Sequence, residues 1–117
     1  MLQRVLHTLA FCLTGLMAAG IAYVMLLPPE TGTAPFPHFD KALHALVFAL
    51  LVLPLCTIRP RHARWMLPVG LLFGAAIEAI QPQFGRGAEW LDLAADGAGL
   101  ILGFACARFL NRLFIRR

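Results

Sequence analysis

Four long apolar runs constrain this chain more than any other feature. They occupy residues 5–27, 42–58, 66–81 and 91–110, and short segments that hold most of the prolines and half of the charged residues separate them. A helix needs about 20 apolar residues to cross the roughly 30 Å hydrocarbon core of a bilayer. Each run is close to that length, so each predicts a transmembrane helix.

Composition favours a bilayer over a water-soluble core as the surroundings of these runs. Of the 117 residues, 60% are hydrophobic and 14% are charged, whereas a soluble domain has about 25% charged residues. A chain this short has little interior in which to bury the excess. Short connections place successive helices side by side and antiparallel. We therefore predict an all-α membrane protein, with residues 1–117 forming a single domain of four antiparallel transmembrane helices.

The first run has a rival interpretation as a secretory signal peptide, because Arg4 precedes it and small residues occur near residues 18–20. The apolar region of a signal peptide is about 7–15 residues long. The run at residues 5–27 is longer. We therefore predict that it is retained as a helix.

The basic residues predict the orientation of the bundle. Eight of the ten fall on one side of it, and they are Arg4, Arg59, Arg61, Arg64, Arg108, Arg112, Arg116 and Arg117. Lys41 and Arg86 lie in the two connections on the other side, residues 28–41 and 81–92. The positive-inside rule then places both termini in the cytoplasm. The basic residues lack the aromatic interleaving of a nucleic-acid surface, so nucleic acid is not a predicted partner.

This topology brings costly polar residues to the outer half of the membrane. Asp40 and His44 are four residues apart, and so are Asp92 and Asp96, so the members of each pair share a helix face. Glu78 lies inside a short apolar run, where an acid is expensive and usually functional. The candidate catalytic residues are His44, Glu78, Asp40 and Asp92, and the candidate ligand-binding residues are Lys41, Arg86, Gln81 and Asp96.

Each candidate residue can be given a role. His44 and Glu78 would form an acid–base pair, and Lys41 and Arg86 would hold a phosphate headgroup. Asp40 would cap the second helix and orient His44 or Lys41. Because the acids outnumber the bases, a protonated carboxyl, a bound cation or a cationic ligand group would complete the charge balance. The competing interpretation is a polar network that specifies helix packing.

Glycines at four-residue spacing predict where helices approach closely. The pairs are Gly70–Gly74 in the third run and Gly99–Gly103 in the fourth. Such GxxxG steps let helix backbones come together in lipid. We predict a close approach of the third and fourth helices that brings Glu78 near Asp96.

A metal site is a further alternative, built from His44 with Asp40, Glu78 or Asp92, since mixed histidine and carboxylate ligands suit several divalent ions. No compact ligand motif is present, and the three cysteines have no CxxC spacing. We therefore assign no metal ligand, and the cofactor stays open.

Two segments match, with one departure, a pattern of the form D-K-x-x-H, E-x-x-Q, G-R, D and N-x-x-G-x-x-x-G. They are "DKALHALVFALL" at 40–51 and "GAAIEAIQPQFGRGAEWLDLAADGAGLILG" at 74–103. Over about residues 36–107 the chain resembles the VanZ-like family of small bacterial membrane proteins, named after an accessory protein of teicoplanin resistance. One departure is Asp96, where that pattern often has asparagine, which adds a negative charge. The resemblance implies a multi-pass protein of the bacterial inner membrane that acts on the cell envelope.

Two functions fit this pattern. In the first, the outward-facing polar site binds or processes an envelope lipid or a lipid-linked sugar. In the second, the chain is a non-enzymatic helical partner of a larger envelope complex. Both have the lipid bilayer as surroundings, both allow an oligomer, and neither decides whether the protein is an enzyme.

Overall fold

The computed structural model describes residues 1–28 and 32–116, and within these ranges the chain forms helices and no strand. The main helices are α1 (Leu2–Leu26), α2 (Phe39–Ile58), α3 (Ala63–Ile80) and α4 (Trp90–Phe114), and short 3-10 turns at Pro60–His62 and Gln81–Phe84 flank α3. All four, with α3 counted together with its flanking turns, are long and apolar enough to cross a membrane. The prediction of an all-α chain with four membrane-length helices is confirmed.

The predicted spans agree with the helices to within a few residues. The differences lie at the ends, where α3 begins at Ala63 and α4 continues to Phe114, because polar residues extend a helix beyond its apolar run. Arg117 and residues 29–31, which the sequence placed in the basic tail and in an outer connection, lie outside the described residues.

The start of α2 differs from the sequence-based expectation. Its N-cap is His38, which has a left-handed backbone with φ of 60°, and no side chain caps the helix. Asp40 lies inside the first turn and its Oδ2 accepts a hydrogen bond from Lys41 Nζ at 3.1 Å. The prediction that Asp40 caps this helix is therefore wrong, although an acid in the first turn still interacts favourably with the helix dipole.

The closest helix contact joins α4 to α2. A Cβ atom added at Gly99 would fall on the backbone carbonyl of Ala45, and one added at Gly103 would fall on that of Ala49. Only glycine permits backbones to come this near. The sequence had suggested that this glycine pair faces the third helix, but the structure places it against α2.

The contact of α3 with α4 uses the other glycine pair. A Cβ atom at Gly74 would lie 2.5 Å from Asp96 Oδ2, and one at Gly70 would lie 2.8 Å from a methyl group of Leu100. These glycines therefore make room for side chains of α4 rather than for its backbone. The arrangement brings Asp96 onto the face of α3 that carries Glu78.

Apolar side chains are distributed as lipid surroundings require. Phe48, Val52 and Leu55 of α2 are fully buried among the helices. Large apolar side chains such as Leu72 of α3 and Leu102 of α4 are instead more than half exposed. Because lipid is as apolar as leucine, these faces need no further cover.

Polar contacts tie neighbouring helix ends together at both ends of the bundle. At the end with the acids, called here the acidic end, Gln81 Nε2 donates to the carbonyl of Met25 at 3.1 Å. At the opposite end, called the arginine end, Asn111 Nδ2 donates to the carbonyl of Thr57 at 2.7 Å. There the Nε2 atoms of His7 and His62 also lie 2.7 Å apart, joining α1 to the turn before α3.

Candidate functional site

Lys41 organises the surface of the acidic end. Its Nζ atom lies 3.1 Å from Asp40 Oδ2, 2.6 Å from Glu89 Oε2 and 3.1 Å from Asp92 Oδ1. Lys41 and Asp92 belong to the first turns of α2 and α4, and Glu89 is the N-cap of α4. Both helices therefore start at the same depth, and one ammonium group joins them. Since Lys41 already has three carboxylates around it, it offers little charge to an anionic ligand.

A buried histidine–carboxylate pair lies below this cluster. His44 Nδ1 is 2.7 Å from Asp96 Oδ1, and the two residues are 3% and 1% exposed. When Asp96 is ionised its carboxylate can only accept a hydrogen bond, and Nδ1 is then the donor of this contact. The other ring nitrogen, Nε2, lies 3.9 Å from Asp92 Oδ2. Asp92 thus connects the Lys41 cluster to the buried pair.

Glu78 approaches the pair from α3. One carboxylate oxygen, Oε2, accepts the backbone N–H of Glu89 at 3.0 Å. The other, Oε1, is buried and has no hydrogen-bond partner among the described residues, and the same holds for Asp96 Oδ2. One donor atom from each of His44, Glu78 and Asp96 lies within 4.8 Å of the others. The three residues could therefore hold a metal ion.

The charges of this end do not balance. The acids are Asp40, Glu78, Glu89, Asp92 and Asp96, whereas Lys41 is the single permanent cation in contact with them within the described part of the chain. His44 adds a second positive charge only when protonated. Buried charges need partners. The arrangement therefore favours a cation at the buried acids.

Arg86, which the sequence grouped with the acids, lies elsewhere. Its Nη1 donates to the carbonyl of Leu27 at 3.2 Å, and it forms no ion pair with the described residues. It lines a cavity of about 390 Å³ between the end of α1 and the start of α2, which Asp40 also lines. Gln81 likewise bonds to α1 and not to the acids, with its Oε1 buried and without a partner in the described ranges.

An apolar groove of about 310 Å³ runs between α1 and α2 below the Arg86 cavity. It is lined by Met17, Gly20, Ile21, Val24, Met25, Leu43, Val47 and Leu50. Val24 and Leu43 line the groove and the Arg86 cavity alike. The two spaces are therefore adjacent, and the cavity adds the charged side chains of Arg86 and Asp40 above the apolar groove.

A second opening lies on the other side of the bundle. It has a volume of about 220 Å³ between α3 and the start of α4, and Glu78 lines it together with Ala75, Trp90 and Leu93. Glu78 is thus the buried acid that borders an open space.

Glu89 is a site residue that the sequence did not single out. Its side chain makes the shortest contact to Lys41, and its backbone N–H donates to Glu78. Its position three residues before Asp92, at the start of an apolar run, was the available signal. The neighbouring Trp90 is 86% exposed at this end.

No family model matches this chain, and neither a curated protein nor a solved structure is similar to it.

Proposed function

We propose that this chain is a multi-pass, VanZ-like protein of the bacterial inner membrane that binds an envelope lipid or lipid-linked sugar with an anionic headgroup. Both termini would lie in the cytoplasm, since the arginine end carries most of the positive charge. The acidic end would then face outward. The ligand's chain would occupy the groove between α1 and α2, and its headgroup would lie beside Arg86.

The adjacency of the apolar groove and the Arg86 cavity is the observation that carries this proposal. A lipid at a membrane surface likewise has an apolar chain below a charged headgroup. Val24 and Leu43 line both spaces. A groove along a transmembrane helix is open to the bilayer, so a lipid can enter it sideways.

Arg86 supplies the headgroup chemistry. A guanidinium has five N–H donors in a planar fork that matches phosphate. Within residues 1–28 and 32–116, the Leu27 carbonyl is the one hydrogen-bond acceptor of Arg86. As far as the described residues go, its other donors have no acceptor and could bind a phosphate oxygen. Lys41, which the sequence had placed beside Arg86 in this role, is instead neutralised by its three carboxylates.

The proposal covers binding and not a chemical step. His44 bonds to Asp96 on the α4 side of α2, whereas Leu43, one residue earlier, lines the groove on the α1 side. The acid–base pair that the sequence suggested is thus not aimed at the proposed ligand. The alternative function, a helical partner in an envelope complex, draws support from the same Lys41 and His44 network, because it joins α2 to α4.

Lipid retention tests the proposal. The protein would be extracted in mild detergent, supplied with phosphatidylglycerol or phosphatidylcholine, and weighed by native mass spectrometry. We expect one phosphatidylglycerol to be retained per chain, with phosphatidylcholine lost. Arg86→Gln should weaken retention about tenfold, because a hydrogen bond to a charged group contributes about 1.5–3 kcal/mol.

Two glycines of α1 give a matched control for the groove. Gly20 lines it and Gly15 does not, and a Cβ atom at either position meets nothing within 4 Å. Gly20→Leu should therefore fill the groove and reduce retention, while Gly15→Leu should leave it unchanged. If Gly20→Leu, Gly15→Leu and Arg86→Gln all retained phosphatidylglycerol as well as the wild type does, the lipid site would be refuted. The helical-partner function would then remain.

Orientation is tested separately with single cysteines in a cysteine-free background. Cysteines at Thr33 and Ala88 should react with an impermeant thiol reagent in whole cells, and one at Arg61 should not. The opposite pattern would place the acidic end in the cytoplasm.

A further inference from the structure

Three donor residues from three helices converge below the Lys41 cluster. His44 comes from α2, Glu78 from α3 and Asp96 from α4, and all three are more than nine-tenths buried. One donor atom of each lies within 4.8 Å of the other two. Imidazole nitrogen and carboxylate oxygen are the common ligands of divalent transition metals.

Two unsatisfied oxygens point to a missing partner. Glu78 Oε1 and Asp96 Oδ2 are buried without a hydrogen-bond partner in the described structure. A buried polar atom left unpaired costs about 1–3 kcal/mol, more when it is charged. Glycine at position 74 leaves room for Asp96 Oδ2, because a Cβ atom there would lie only 2.5 Å from that oxygen. The chain thus keeps a glycine where this carboxylate turns toward α3 and Glu78.

We propose that His44, Glu78 and Asp96 bind one divalent transition-metal ion, Zn²⁺ or Mn²⁺. The ion would bind His44 and the two carboxylates in their deprotonated forms, and it would give Glu78 Oε1 and Asp96 Oδ2 the partner that they lack. It would also offset part of the excess negative charge of the acidic end. This inference is independent of the lipid groove, which lies on the other side of α2.

Access to the ion is provided on the α3–α4 side. The opening of about 220 Å³ is lined by Glu78, the ligand nearest the surface. Three protein ligands leave at least one coordination position for water or another small ligand, as in catalytic rather than structural zinc sites. That position would face this opening.

The second group of acids at this end is not a metal site. Asp40, Glu89 and Asp92 also bring their oxygens within 4.8 Å of one another. Lys41 Nζ, however, lies 3.1, 2.6 and 3.1 Å from these three carboxylates and already occupies the centre. A metal there would have to expel the ammonium group.

Metal analysis of the purified protein tests the proposal. The full chain would be purified in detergent, stripped with chelator, loaded with Zn²⁺ or Mn²⁺ and freed of excess ion. We expect about one bound ion per chain. Loading should also raise the midpoint temperature of thermal unfolding, called here the thermal midpoint. Glu78→Gln and His44→Ala should each weaken metal binding more than tenfold, since even changes outside the ligand shell cost 10–100-fold.

Two control variants locate the ion. Glu89→Gln changes an acid of the Lys41 cluster, and His62→Ala removes the histidine pair at the arginine end, so neither should alter the stoichiometry. Circular dichroism would verify that each variant is helical. Folded wild-type protein that binds neither ion, or metal binding that survives Glu78→Gln but is lost in either control, would overturn the proposal.

Discussion

Glycine is used in opposite ways on the two sides of α2. On the α4 side, Gly99 and Gly103 bring the helix backbones so close that a methyl group at either position would overlap a carbonyl of α2. On the α1 side, a methyl group at Gly20 would meet nothing within 4 Å, and the glycine lines an open groove. The α4 side also holds the buried His44–Asp96 pair.

This contrast suggests that the α4 side of α2 serves stability and that the α1 side serves the proposed lipid binding. With lipid outside, helix association depends on close packing and on polar contacts between helices. Both are concentrated between α2 and α4. The α1 side leaves an open groove, where the proposed lipid would bind. Substitutions on the two sides of α2 should therefore have different consequences.

The largest loss of stability is expected from a substitution at Gly103. Its added side chain would meet the backbone of Ala49 and a methyl group of Val52 at 2.6 Å, and the backbone cannot yield. Gly103→Leu should destabilise the protein by at least about 3 kcal/mol, among the severe single substitutions. The thermal midpoint in detergent measures this, with Gly15→Leu as the control. Similar midpoints for the two variants would mean that α4 does not pack on α2 through this glycine.

The next largest loss of stability is expected from a substitution at Lys41. Lys41→Met keeps the length of the side chain but leaves three acids without their shared cation. Removing one partner of a charge network usually destabilises more than the network itself contributes. We expect a lower thermal midpoint, whereas Arg112→Met at the exposed arginine end should change little. Restoration by Asp92→Asn in the Lys41→Met background would show that the unpaired charge is the cause.

A smaller effect is expected at Gly85, which connects the end of α3 to Arg86. Its φ is 77°, a left-handed conformation that costs a residue with a side chain about 1–2 kcal/mol. Gly85→Ala should lower stability by that amount and also weaken phosphatidylglycerol retention, because it shifts Arg86. Gly87→Ala is the control, since Gly87 has no such φ. Unchanged retention in Gly85→Ala would mean that the position of Arg86 is not set by this turn.

Glu78→Gln should have the smallest effect on stability, or should raise it. The change keeps the shape and removes a buried charge, and replacing such charges is often neutral or stabilising. The comparison requires metal-free protein, with the midpoint measured in chelator. A loss as large as that of Gly103→Leu would show that the charge of Glu78 is needed for packing.

The sequence predicted the helices well because the length of each apolar run determines where a helix forms. It also placed Asp40, Lys41 and Asp92 together, because all three lie near the same end of the bundle. It could not predict which helix Gly99 and Gly103 contact, since a glycine stripe marks a close approach without naming the partner. It also could not predict that Arg86 bonds to the end of α1 rather than to the acids. That side chain follows a turn at Gly85, and the direction of a chain after a turn depends on contacts with α1 that no local pattern shows.

Photocrosslinking tests the contrast between the two sides of α2 most directly. The protein would be reconstituted with phosphatidylglycerol carrying a diazirine on its acyl chain, irradiated, and mapped by peptide mass spectrometry. We predict adducts concentrated on the groove residues Ile21, Val47 and Leu50, which Gly20→Leu should reduce and Gly15→Leu should not. Equal labelling of lipid-facing residues elsewhere, such as Leu102 of α4, with no change in Gly20→Leu, would contradict the account.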